Sequence, residues 1–222
     1  VGLRVYHSPR YTIDLDALLV KSNLSNALET IKTNAQKDFN DGVWFRFQEE
    51  IDLKTQGEYG GIRQVYRAGI GSPPQEIKKF QIINFDLGVG DPVFPHPIEN
   101  KMTELIGKQE LSWIVYPIET IIAEKIHALI DRGEFNSRSK DIFDLANFIP
   151  QSNSKNLIKS IEACFKYRNT PIPNNLIDSL NSIDLKLLKK GWASATSSLK
   201  NAPDIEVEFK KFLVELERKL ND

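Results

Sequence analysis

Between Tyr11 and Val20 apolar and polar residues alternate, with Ile13, Leu15 and Ala17 on one side and Thr12, Asp14 and Asp16 on the other. A period of two belongs to a pleated strand whose faces meet different surroundings, so this segment reads as a strand. Leu24, Ala27, Leu28 and Ile31 then recur at helical spacing, which predicts a helix over 24–37 with Ser22, Asn23 or Ser25 as its cap. Strand-like runs follow over 43–54, 61–70 and 78–87. The segments Gly57-Glu58-Tyr59-Gly60-Gly61 and Gly71-Ser72-Pro73-Pro74 separate them, and these turn residues predict an antiparallel meander ending near Pro97. After Pro117 the period changes for good: Ile118, Ile121, Ile122, Ile126, Leu129 and Ile130 form a helical stripe that stops at Gly133. Further helices are predicted at 140–148, 155–165, 176–180, 184–197 and 204–220, joined by turns carrying Pro150, Pro171, Pro173 and Pro203. The pattern predicts an α+β protein: a sheet-rich lobe over 1–116, with its N-terminal part incomplete, then a helical lobe over 117–222.

Composition narrows the class. At 222 residues, with 41% hydrophobic and 27% charged residues, the chain can bury a core and is not disordered. No apolar run reaches the length of a membrane span, and Val1-Gly2-Leu3-Arg4 does not read as a targeting leader, so a soluble protein without membrane partners is expected. The single cysteine, Cys164, excludes an internal disulfide and a thiolate metal cage, and points to the reducing cytoplasm. With only His7, His96 and His127 available, any metal must be held mainly by oxygen. The net charge of −1 is unevenly spread: residues 151–203 hold 8 Lys+Arg against 3 acids, an excess of +5, and residues 204–222 hold 4 against 6. That middle stretch reads either as a solvated helix surface or as a surface for phosphates.

The alternation places Asp14 and Asp16 on one strand face, with β-carbons roughly 6 to 7 Å apart. Carboxylates so close repel each other and call for a cation, and oxygen ligation selects Mg²⁺ or Mn²⁺. The same Asp-x-Asp also suits an exposed strand face. Asp86 continues the alternation Phe80, Ile82, Asn84 at the end of a second strand, where it could complete a metal cluster. Lys125 sits on the apolar stripe among Ile121, Ile122, Ala128 and Leu129 without an acidic partner on its own helix. It must either extend its stem to water or aim its ammonium into a polar site such as a triphosphate. Arg138, Lys140, Asp141 and Asp144 gather two cations and two carboxylates around the next helix start, which Ser137 or Ser139 can cap.

Taken together, Arg10-Tyr11-Thr12-Ile13-Asp14-Leu15-Asp16, Glu58-Tyr59-Gly60-Gly61-Ile62-Arg63, Phe85-Asp86-Leu87-Gly88-Val89-Gly90-Asp91, Tyr116-Pro117-Ile118-Glu119-Thr120-Ile121-Ile122-Ala123-Glu124-Lys125 and the segment from Asn136 to Leu145 resemble, in that order, the AbiEii/AbiGii toxin family of nucleotidyltransferases. The resemblance implies a polymerase-β-like nucleotidyltransferase core with a mixed or antiparallel sheet, a helical C-terminal lobe, Mg²⁺ (or Mn²⁺) dependence and an NTP substrate. It also implies a toxin of a bacterial toxin-antitoxin or phage-defence pair with a cognate antitoxin, since the related MenT toxins add nucleotides to the 3′ end of tRNA. By this likeness Asp14 and Asp16 are metal ligands, Lys125 contacts the nucleotide phosphates, and Asp141, with Asp144, belongs to the edge of the active site. Asp86 as third carboxylate rests on its strand position. Gly2, Arg10, Thr12, Arg138 and Lys140 are the further candidates for nucleotide binding.

The family fold carries a Gly-Ser or Gly-Gly pair about ten residues before the aspartates, whereas here Gly2 is followed by Leu3. Either the serine is absent or the pair lies before residue 1. Three readings stay open: nucleotide transfer to RNA, transfer to a protein or small-molecule hydroxyl, and a nucleotide-binding module without catalysis.

Overall fold

The computed structural model describes the chain except for residues 1, 13, 21, 54–59, 104–107 and 134–136. Ile13, Lys54, the glycine-rich turn from Gly57 to Tyr59 and Asn136 therefore lie outside the described residues. Contacts divide the chain into two units, Thr12–Asp91 on the one hand and Val1–Tyr11 with Pro92–Asp222 on the other.

The first unit is built on a four-stranded mixed sheet of order β1-β4-β3-β2. Its strands are β1 (Asp14–Leu19), β2 (Val43–Asp52), β3 (Gly61–Ile70) and β4 (Gln81–Val89). The meander β2-β3-β4 is antiparallel throughout, and β1 adds to the outer edge of β4 in parallel. β4 starts later than the alternation suggested, because Phe80 donates to Ile77 in a turn and its carbonyl accepts Arg67 Nη1 at 2.8 Å. Between β1 and β2 runs α2 (Leu24–Ala35), capped by Asn23, whose side chain accepts from the Asn26 N–H. One face of the sheet carries Gln64, Tyr66 and Leu87, all buried. Gln64 donates to the α2 carbonyl of Leu28 at 2.9 Å and to Glu50 at 2.9 Å, and accepts the Tyr66 hydroxyl at 2.6 Å, so this interior amide is satisfied on both sides. The opposite face carries the alternation Arg63, Val65, Arg67 on β3 and Ile82, Asn84, Asp86 on β4.

The second unit holds the helices and a two-stranded hairpin, β5 (Ile98–Thr103) with β6 (Glu110–Val115). The hairpin lies where the sheet was expected to have ended, and it groups by contacts with the helices rather than with the meander. The short α1 (Gly2–Val5) belongs here as well. Arg4 donates to the Thr103 carbonyl at 2.6 Å, and Tyr6 donates its hydroxyl to the Tyr116 carbonyl at 2.5 Å. Burial, reinforced by Glu119, raises the Tyr6 phenol to about 12, so it stays a donor.

The α-helices of the described residues that follow are α3 (Ile118–Arg132), α4 (Ser139–Phe148), α5 (Ser154–Tyr167), α6 (Leu176–Asn181), α7 (Leu185–Ala195) and α8 (Ile205–Asn221). Their starts are legible in the side chains, since Asn153, Asn175, Asp184 and Asp204 each accept an N–H of the first turn. α3 stops at Gly133, whose φ of 46° suits a residue without a β-carbon. The apolar stripes of α3, α4, α5 and α8 close over one core in which Ile122, Ile126, Leu129, Phe148, Phe165 and Phe212 are fully buried.

Candidate active site

In the sheet unit, parallel pairing sets Asp14 opposite Asn84 and Asp16 opposite Asp86. Partners in register share a face, so the three carboxylates expected from alternation do come to one side of the sheet, on its two outermost strands at that edge. Asp14 is half-buried and accepts Asn84 Nδ2 at 3.2 Å, and Asp16 is exposed. Leu15, on the opposite face, is 41% exposed, as an edge strand allows.

Asp86 is engaged. Arg63, its partner on β3, donates from Nε to Oδ1 and from Nη2 to Oδ2, each at 2.7 Å. The guanidinium pKa is raised, first by this hydrogen bonding and then by the charges of Asp86, Asp14 and Asp16, against a lowering by burial. Among the described residues no group of three or more His, Cys, Asp or Glu side chains is gathered in metal-ligand geometry. Among the described residues the three carboxylates share one sheet face, with Arg63 turned to Asp86, and carboxylate oxygens are the donors that hard cations take. Thr12 contributes locally, its hydroxyl accepting the Asp14 N–H at 3.3 Å.

In the helical unit, the structure gathers five of the candidate residues into one cluster. Lys125 reaches from α3 to α4, where its Nζ lies 2.5 Å from Asp141 Oδ1 and 2.8 Å from Asp144 Oδ2. Arg138 donates to the other oxygen of Asp141. Arg10 grips Asp144 in a two-pronged pair, with Nε to Oδ1 at 2.6 Å and Nη2 to Oδ2 at 2.5 Å. Of the two options open for Lys125, the extended, solvated stem is therefore not taken; its ammonium is aimed into a polar site that supplies its own carboxylates. Burial would push the Lys125 pKa down, but the charges of Asp141 and Asp144 outweigh it and the net shift is upward. For Asp141 burial pulls upward, and Lys125 and Arg138 outweigh it to lower the pKa. Among the described residues three cations, Lys125, Arg138 and Arg10, meet the two carboxylates Asp141 and Asp144.

The start of α4 is held differently from the expectation of a serine cap. Arg138 occupies the cap position without a side-chain cap bond, and Ser139 spends its buried hydroxyl on the α7 carbonyl of Leu188 at 2.6 Å. This cross-helix bond docks the first turn of α4, and with it Asp141, against α7. Lys140, one residue on, is exposed and outside the cluster. Gly2 opens the four-residue α1. The residue that sequence reasoning passed over is Arg63, although it closes one of the motif blocks; its signal was a cation on the same face of the meander as Asp86.

The basic stretch is mostly surface. Lys155, Lys159, Lys166, Lys186, Lys189, Lys190 and Lys200 are exposed, with Lys189 bound to Glu206 at 2.5 Å and Lys186 3.7 Å from Asp184. Arg168 instead turns to His127 Nδ1 at 3.3 Å. No described helix is long and apolar enough to cross a membrane.

The family model described as nucleotidyl transferase AbiEii toxin, type IV toxin-antitoxin system, matches residues 2–215, nearly the whole chain. No curated protein matches the chain significantly.

Proposed function

Because the chain belongs to the AbiEii family of nucleotidyl transferase toxins of type IV toxin-antitoxin systems, we propose that it is a Mg²⁺-dependent enzyme that transfers a nucleotide from an NTP to the 3′ end of an RNA, a tRNA being the preferred acceptor, and that it serves in phage defence beside a cognate antitoxin. The observation that carries this reading is the register that sets Asp16 opposite Asp86, with Asp14 on the same face. Alternation alone cannot bring carboxylates of two strands together; parallel pairing does.

In the reaction, the terminal ribose hydroxyl attacks the α-phosphate, the new O–P bond forms as the bond to the β-phosphate oxygen breaks, pyrophosphate leaves and the hydroxyl proton passes to solvent. Asp14, Asp16 and Asp86 would hold a divalent cation, which when bound would supply charge neutralisation at the phosphates and acidify the attacking hydroxyl. The helical unit carries candidate phosphate contacts of its own, Lys125 as a compact ammonium and Arg10 and Arg138 as forked donors. The exposed lysines of 151–203 suit a polyanionic acceptor better than a neutral one.

The test is incubation with each labelled NTP in turn, Mg²⁺ and total cell RNA. Label on RNA of tRNA size is expected with one or more NTPs, and its loss in Asp14→Asn and Asp16→Asn variants that fold normally. Removing either carboxylate relieves repulsion on the sheet face, so their melting temperatures without metal should stay level or rise. Label on protein instead would overturn the acceptor, and full transfer by both variants would overturn the metal assignment.

A further inference from the structure

Arg63 has no role in the reading above, yet it makes the most definite contact on the carboxylate face. We propose that Arg63 is an internal rival of the divalent cation: it holds Asp86, and a cation that completes its site there binds against the charge of the guanidinium. The inference rests on the reading of Asp14, Asp16 and Asp86 as metal-holding residues.

The register puts Arg63 opposite Asp86 on one side while Asp16 lies opposite it on the other. Asp86 is thus the shared member of two pairings, one with a cation of the chain and one with a carboxylate that repels it. The fork at 2.7 Å to both oxygens offsets this repulsion. A carboxylate oxygen has lone pairs to spare, so guanidinium and metal need not exclude each other sterically. Two positive charges at one carboxylate nevertheless repel, and binding is antagonistic in either geometry. Arg63 can also leave. Its side chain is 28% exposed and that of Asp86 is 19% exposed, so a released guanidinium passes to water rather than into an apolar interior. Arg63 is accordingly a positioning residue: it sets the metal concentration at which Asp86 takes up the cation.

The experiment titrates the full chain and its Arg63→Gln variant with Mn²⁺ alone, read by the loss of free-ion signal in electron paramagnetic resonance, alongside melting curves without metal. Arg63→Gln should bind Mn²⁺ about threefold more tightly or better. It should melt lower without metal, and gain more on adding Mn²⁺. Adding Asp86→Asn to Arg63→Gln should restore part of the metal-free melting temperature, because the uncompensated charge is gone. Arg63→Lys keeps the charge and loses the fork, so its Mn²⁺ affinity should fall between the two; it stands in where Arg63→Gln does not fold. A wild-type titration that Asp16→Asn abolishes, but that neither Arg63 variant changes, overturns this inference and leaves the metal site standing. A titration that Asp16→Asn leaves unaltered overturns the metal site and the inference with it.

Discussion

Arg10 and Asp144, 134 positions apart, form a two-pronged ion pair in which the carboxylate is fully buried. Asp144 also meets Lys125 at 2.8 Å, so one buried carboxylate binds the segment ahead of β1, helix α3 and helix α4 into a single polar joint. Interior charges of this kind are costly to leave half-paired, which makes the cluster testable through stability as well as activity.

Lys125→Met should lower stability by about 3 kcal/mol, because it strands Asp141 and Asp144 with fewer partners in a buried setting. Chemical denaturation checks this. A lysine that merely snorkelled would give a neutral or stabilising change, so an unchanged midpoint would refute the pairing. The same variant should transfer nucleotide at least about tenfold more slowly.

The acid limb of stability should depend on Asp141. Its carboxyl is held below the ordinary range by Lys125 and Arg138 in spite of burial. The unfolded chain therefore takes up the proton first, and the stabilisation present above pH about 4 is lost as pH falls through the lowered native value. Asp141→Asn should flatten the slope of unfolding free energy against pH below about 4.

His127 gives a second window. Burial, and then the neighbouring Arg168, lowers its pKa, with Asp131 opposing. Stability should fall as pH drops below about 6.5, where the unfolded imidazole protonates, by at most about 1.4 kcal/mol per pH unit, and level off below the native value. Denaturation midpoints of wild type and His127→Gln at pH 7.5 and 5.5 would show the slope and its loss.

At Gly191, α7 lies close against the start of α4. A β-carbon there would lie 2.5 Å from Ser139 Oγ, the hydroxyl bonded to the Leu188 carbonyl. Gly191→Ala should cost about 1–3 kcal/mol, and Ser139→Ala in the same chain should recover part of it by vacating the space. Equal stability of Gly191→Ala and wild type would contradict the packing.

Among the basic-stretch lysines, Lys190 rather than Lys189 is the informative reversal, since Lys189 is tied to Glu206. Lys190→Glu should weaken RNA binding and reduce the slope of log affinity against log salt by about one unit, with NTP binding unchanged. An unaltered slope would assign this surface to plain solvation.

Much of the architecture was legible in the order of residues. Helices α2 to α8 follow from apolar stripes and from caps such as Asn153 and Asp204, and the meander follows from alternation broken at Gly71-Ser72-Pro73-Pro74, because these signals act between neighbours a turn or a pleat apart. The β5-β6 hairpin escaped notice: its strands carry weak alternation, with Ile114 80% exposed and Lys101 opposite Ser112, so burial leaves little trace in the sequence.

For the site, the sequence by itself determined which side chains were unusual where they stood: two aspartates on one strand face, an aspartate ending an apolar strand, a lysine on an apolar stripe. Which of them meet was decided by the tertiary structure alone. Asp16 faces Asp86 because β1 joins β4 in parallel, Asp86 is held by Arg63 because β3 pairs on its other side, and Lys125 finds Asp141 and Asp144 because α3 packs beside α4. Charges act through space, and partners 16, 23 or 134 positions apart leave no periodic mark on the chain that carries them.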